Sequence, residues 1–140
     1  MAVAGTERLH GDGLRLAYGE RVVTDDFDVR IPDGSFTVIV GPNACGKSTV
    51  LKALARLLAP RAGSVQLDGR LISSYATKEV ARRLGLLPQS PLAPAGITVA
   101  DLVARGRYAH QRLLRQWSKE DEAKVVEAMA LTETLDLSDR

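Results

Sequence analysis

Residues 36–58 restrict this chain more than any other stretch. They open with FTVIV, a short β-branched apolar run that suits a strand buried on both faces. They close with VLKALARLL, where Val50, Leu51, Leu54, Leu57 and Leu58 recur at helical spacing and give one apolar face. Between the two, GPNACGKS fits G-x-x-x-x-G-K-[ST], the phosphate-binding loop, in the strand–loop–helix setting that this loop requires. The residue types carry the chemistry. Gly41 and Gly46 open backbone angles closed to other residues, so the loop can curl around a polyphosphate. Its N–H groups then point inward, and the following helix adds the positive end of its dipole. Lys47 is a flexible point charge with the reach to touch the β- and γ-phosphates. The Ser48 hydroxyl is placed to ligate Mg²⁺ on the same phosphates.

The remaining composition limits the class of protein without naming it. A chain of 140 residues with 45% hydrophobic and 26% charged residues has the makings of one modest core. A net charge of +2 is too small to argue for nucleic acid. One cysteine allows no internal disulfide and points to a reducing compartment. No apolar run reaches the roughly 20 residues of a membrane span, and MAVAGTERLHGDG lacks the apolar centre of a secretory signal. A cytoplasmic protein is the expectation.

Taken in order, residues 1–13 read as a loose start. Leu14, Leu16 and Tyr18 alternate with Arg15 and Ala17, a strand with those three side chains inward. Gly19-Glu20 is a turn, and Phe27, Val29 and Ile31 repeat the period of two, so two short antiparallel strands precede the loop. Ala59-Pro60-Arg61-Ala62-Gly63 stops the helix. Val65 and Leu67 face inward on a further strand, and Asp68-Gly69 makes a tight turn into Arg70. Thr77 or Ser74 caps a short helix through Leu84, and residues 84–87 form another strand ended by Pro88. Residues 88–96 carry three prolines and a glycine and mark a boundary. Beyond it Thr98 caps a helix with Val99, Leu102 and Val103, ended at Arg105-Gly106-Arg107. Ser118 and Asp121 resemble a capping pair ahead of Ala123, Val126, Met129 and Ala130, with a short segment after Thr132. The domain expectation is a partial phosphate-loop α/β core over 1–96 and the start of a helical subdomain over 97–140.

These residues resemble a family. From Tyr18 through DDFDVRIPDGSFTVIVGPNACGKSTVLKALARLLAPRAGSVQLDG the chain is similar to the nucleotide-binding subunit of an ABC transporter. TVADLVARGRYAHQ is similar to the subgroup serving iron–siderophore and cobalamin importers, with Ala109 standing where proline is expected. The resemblance implies an α/β phosphate-loop NTPase core with an N-terminal antiparallel β subdomain and the start of an α-helical subdomain. It implies ATP and Mg²⁺ as cofactors. Gly41, Pro42, Asn43, Ala44, Cys45, Gly46, Lys47, Ser48 and Thr49 would hold the phosphates, and Tyr18 would stack on the adenine ring. Gln89 matches the glutamine that touches Mg²⁺ and the attacking water and whose loop senses the membrane partner. Cys45 stands where the family often has serine or glycine and reads as a tolerated small residue.

Arg105, Arg107, His110, Arg112 and Arg115, with Tyr108 and Trp117, make a basic cluster. It is open to three readings: nucleic-acid binding, a solvated face, or the surface that abuts a transmembrane subunit. The expectation is no nucleic acid. The expected partners are transmembrane permease subunits and a second ATP-binding subunit in a homodimer. The expected place is the cytoplasmic face of the membrane. The family's L-S-G-G-Q signature, its Asp-Glu pair and its switch histidine do not occur in these residues, so an N-terminal fragment is expected. The function expected is ATP hydrolysis coupled to import, of an iron–siderophore complex. The alternatives are a non-catalytic nucleotide-binding module and a small phosphate-loop kinase.

Overall fold

A twelve-residue strand runs through the middle of the first half of the chain. In the computed structural model, which describes residues 7–89, 93–111 and 117–140, strand β1 spans Glu7–Tyr18 and β2 spans Arg21–Pro32. They form an antiparallel hairpin across the two-residue turn Gly19-Glu20. Strand β3 (Ala62–Leu67) pairs with the other edge of β1, and the two-residue β4 (Arg70–Leu71) closes the sheet in the order β2-β1-β3-β4. Asp68 and Gly69, at φ 50° and 74°, make the expected tight turn between β3 and β4. The loose start expected at 1–13 is corrected from residue 7 onward. Leu9 and Gly11 pair with Leu67 and Val65 on one side and with Ile31 and Val29 on the other. Paired edges on both sides satisfy the backbone there, whatever the local composition suggests.

The chain forms two compact units, one ending at residue 80 and one covering 81–140. The first is built on burial. Leu14 and Leu16 are fully buried, and Val65 and Leu67 nearly so. Helix α1 (Lys47–Leu54) lays Val50, Ala53 and Leu54 into the same core. It is shorter than the sequence suggests. Arg56 adopts a left-handed φ of 60°, the Leu57 amide donates to the Lys52 carbonyl at 2.7 Å, and the Arg56 amide donates to Ala53 at 3.0 Å. That is a Schellman end, made before Pro60 is reached. Arg56 then donates to the Tyr75 carbonyl at 2.7 Å, which ties the helix end to the segment after β4.

Two expected strands do not form. Residues 36–40 are extended but unpaired, with Phe36 94% and Val40 83% exposed. Residues 84–87 are likewise outside any strand, and Leu87 is exposed. A continuous apolar run becomes a buried strand only when strands flank it. Among the described residues, no strand of the β2-β1-β3-β4 sheet flanks either run.

Within the second unit, α3 (Val99–Ala104) is capped by Thr98, whose hydroxyl accepts from the Asp101 amide at 3.1 Å. The α-helix ends at Ala104 with Arg105 as its C-cap, as expected, and a 3₁₀ turn follows over Arg105–Ala109. Helix α4 (Lys119–Leu131) begins in a complete capping box between Ser118 and Asp121. Its buried face is Asp121, Val125 and Met129, whereas Val126 is half exposed, so the expected apolar face is rotated. The short helix α2 (Thr77–Ala81) joins the two halves of the sequence and ends before Leu84.

Candidate nucleotide site

The sequence 41–49 keeps its curl by local contacts. Gly46 sits at φ 99° as the residue before α1, a conformation that favours glycine. A Cβ there would also lie 2.8 Å from the Val23 side chain, so β2 and the loop approach closely only because Gly46 has none. The second left-handed residue of the loop is Ala44, at φ 65°, and not Gly41 as expected. A Cβ at Gly41 would stand 2.9 Å from the Cys45 sulfur, the end of an exposed side chain that can turn aside. The Cys45 amide donates to the Pro42 carbonyl at 3.4 Å. The Thr49 and Val50 amides each donate to the Gly46 carbonyl at 2.9 Å.

The Lys47 ammonium donates to the Gly41 carbonyl at 2.9 Å and the Pro42 carbonyl at 2.6 Å, with the Cys45 sulfur at 3.6 Å. It therefore joins the beginning of the loop to its end. A phosphate oxygen offers that ammonium an opposite charge as well as an acceptor, which a neutral carbonyl does not. Lys47 is placed to exchange one for the other. Helix α1 has no acidic residue in its first turn and no side-chain cap, so its N-terminal amides and dipole face the loop without a competing protein anion.

Above this loop stands the β1–β2 hairpin. Together they enclose a cleft of about 290 Å³ lined by Tyr18, Arg21, Val23, Ala44, Gly46, Lys47, Ser48 and Thr49. Two cations and no carboxylate line it, which suits a polyanion. Gly41, Pro42, Asn43 and Cys45 belong to the loop but are not among the lining residues; Gly41 and Pro42 contribute carbonyls to Lys47, and Cys45 is exposed.

Tyr18 corrects a sequence expectation. The alternation placed it inward with Leu14 and Leu16, but it is 46% exposed and Ala17 is buried in its stead. The pairing register slips between Leu14 and Leu16 and again between Leu16 and Ala17. Such irregularities re-aim the side chains that follow them. Tyr18 is thereby turned into the cleft, with the Lys52 ammonium 5.8 Å from its ring centre. Arg21 and Val23 were not singled out from the sequence. The signal was present, since a two-residue turn at Gly19-Glu20 sets Arg21 directly across from Tyr18.

Ser48 and Thr49 are neighbours in the first turn of α1, Ser48 exposed and Thr49 buried. Mg²⁺ takes oxygen ligands and is commonly held by one or two protein oxygens together with substrate phosphates. The Ser48 hydroxyl fits that role. Among the described residues no cluster of histidine, cysteine and carboxylate side chains could hold a metal ion.

Gln89 lies in the second unit, exposed and outside helix and strand. Of the basic cluster, Arg107 is engaged with Asp121 at 2.9 Å, and Arg112 and Arg115 lie outside the described residues. Asp121 also accepts from the Ser118 hydroxyl at 2.7 Å and the Ser118 amide at 3.2 Å. The Ser118 hydroxyl first, and then the Arg107 guanidinium, hold its carboxyl below the usual carboxylate range.

A family model described as "ABC transporter" matches residues 24–140. The ferric enterobactin transport ATP-binding protein FepC of Escherichia coli is 54% identical over 133 residues, 95% of this chain and 49% of its own length. The probable siderophore transport system ATP-binding protein YusV of Bacillus subtilis is 50% identical, over 97% of this chain and 50% of its own. The iron(3+)-hydroxamate import ATP-binding protein FhuC of the same organism is 39% identical, over 94% and 49%. This chain thus spans about half the length of these curated relatives. A solved nucleotide-free ATP-binding cassette of an ABC transporter superposes with a TM-score of 0.75 at 20% identity, covering 96% of this chain and 57% of that one. An ATP-binding subunit of an ABC transporter gives 0.74 at 20% identity, covering 94% and 53%.

Proposed function

The chain belongs to the ABC transporter family, and from that premise we propose that it is the ATP-binding part of an importer that couples ATP hydrolysis to uptake of an iron–siderophore complex. One observation carries the reading most of the way: an exposed tyrosine and a curled phosphate loop share one positively charged cleft. The adenine ring stacks on Tyr18, and the polyphosphate lies along residues 41–49. Lys47 leaves the Gly41 and Pro42 carbonyls for the β- and γ-phosphates.

Mg²⁺, when bound, neutralises charge on the phosphates. Ser48 would hold it, and Gln89 would serve as its second protein contact and as the group that orients the attacking water. The core that does this runs over 1–96, and 97–140 begins a helical subdomain facing the permease. The partners are transmembrane permease subunits and a second ATP-binding subunit, on the cytoplasmic face of the membrane. Support for the substrate comes from the names of the relatives, which are siderophore and iron-hydroxamate transport proteins.

Titration calorimetry with ATP and Mg²⁺ tests the reading. Wild type is expected to bind, and Lys47→Ala to lose most of that affinity. Equal binding by the two proteins would refute it.

A further inference from the structure

Seven arginines lie between residues 7 and 80, and six are engaged. Arg8 pairs with Asp68, Arg15 with Asp25, and Arg30 with Glu7 and Asp12. Arg56 donates to the Tyr75 carbonyl, Arg61 to the Gly19 carbonyl, and Arg70 stands 4.4 Å over the Tyr75 ring. Arg21 has no such partner among the described residues, and it is the one arginine of the seven that lines the cleft. Glu20 is adjacent in sequence, and among the described residues no ion pair joins the two.

Position gives the free guanidinium a purpose. Tyr18 and Arg21 are direct cross-strand partners, so their side chains stand on the same face of the hairpin, about 5 Å apart at Cβ. A flat base stacked on the Tyr18 ring lies within reach of the Arg21 guanidinium, whose planar fork can meet the edge of that base. The turn that sets this spacing is held by Arg61 on the Gly19 carbonyl, and β2 is fixed to the loop by the close approach of Val23 to Gly46. The pair is thus at a set distance from the phosphate-binding end.

Arg is a donor only, in a rigid planar fork. Guanine offers two adjacent acceptors, O6 and N7, which match that fork. Adenine offers N7 beside an amino donor, which does not. Resting on the nucleotide reading above, we propose that Arg21 reads the edge of the bound base and tilts this site towards 6-oxopurine nucleotides, so that GTP binds at least as well as ATP.

The experiment measures dissociation constants for ATP, GTP, ITP and tripolyphosphate, each with Mg²⁺, on wild type, Arg21→Ala, Arg21→Lys and Lys47→Ala. Arg21 is exposed and makes no contact that the fold needs, so both variants at this position are expected to fold. Arg21→Ala is expected to weaken GTP and ITP by about fivefold or more, the lower end of what a bidentate base contact supplies. ATP and tripolyphosphate should lose less than GTP and ITP, because they lose one of the two cations of the cleft and not the paired base contact. Arg21→Lys should not restore GTP or ITP, because it keeps the charge and loses the fork. An equal loss for all four ligands, rescue by lysine, or an unchanged GTP-to-ATP ratio would each overturn the proposal. The Lys47→Ala arm separates the two ideas: if it binds every ligand as wild type does, the nucleotide reading falls and this one with it. If Lys47→Ala loses binding while Arg21→Ala leaves the ratio alone, only the role of Arg21 falls.

Discussion

Residues 14–18 and 36–40 both lead into the nucleotide cleft, and they are held in opposite ways. The first run lies in the ladder, paired along its length with β2, and its Leu14 and Leu16 are fully buried. The second is the more apolar of the two, yet it is unpaired and exposes Phe36, Val38 and Val40. Apolar pattern states a preference for burial; neighbouring strands decide whether it is met. The cleft shows the same division. Tyr18 is delivered by the ladder, so its position depends on long-range register. The phosphate loop follows an unpaired run and keeps its shape by contacts within six residues, chiefly Lys47 with Gly41 and Pro42.

Three substitutions or conditions press on this contrast. Leu14→Ala should have the largest effect, a loss of about 2–5 kcal/mol, because it opens a cavity where the surrounding strands cannot collapse. Urea unfolding followed at equilibrium would show the midpoint fall with the slope unchanged. A midpoint within experimental scatter of wild type would mean that the ladder is not the stabilising element.

Acid adds a segment held by polar contacts. Asp121 keeps its carboxylate charged more readily in the folded state than in the unfolded one. Its contribution is therefore complete above the unfolded value, about 3.9, and is lost as pH falls below that through the lowered folded value. Hydrogen exchange should show amides of α4 losing protection below about pH 4, and Asp121→Asn should remove that dependence on pH. Protection that is flat across this range in wild type would contradict the assignment.

Val38→Ser should have the smallest effect in this 140-residue chain, within about 0.5 kcal/mol, since Val38 is already 63% exposed. A loss near that of Leu14→Ala would show that residues 36–40 are buried after all.

How much was legible from sequence follows the same line. The Thr98 cap, the Ser118–Asp121 box and the Asp68-Gly69 turn depend on residues within four positions of each other, and each formed as expected. Tyr18 pointed the wrong way in the sequence reading because the register slips on either side of Leu16, and a register slip is a property of two strands. The face of α4 was misjudged because burial of a charged residue, Asp121, becomes favourable only once Arg107 and Ser118 surround it. Helix α1 ended early because Arg56 took a left-handed conformation and reached the Tyr75 carbonyl, a contact nineteen residues away. For the candidate site, residues 41–49 were readable as nine consecutive letters and Tyr18 from the family resemblance, whereas Arg21 and Val23 had to wait for the hairpin.

The central claim is that one cleft divides its work, with the loop holding phosphates and the hairpin holding the base. Paired titrations of wild type and Tyr18→Ala with ATP and with tripolyphosphate test it most directly. Tyr18→Ala should weaken ATP by about tenfold, within the range that stacking on an aromatic side chain supplies, and leave tripolyphosphate unchanged. A parallel loss of both ligands, or no loss of either, would contradict it.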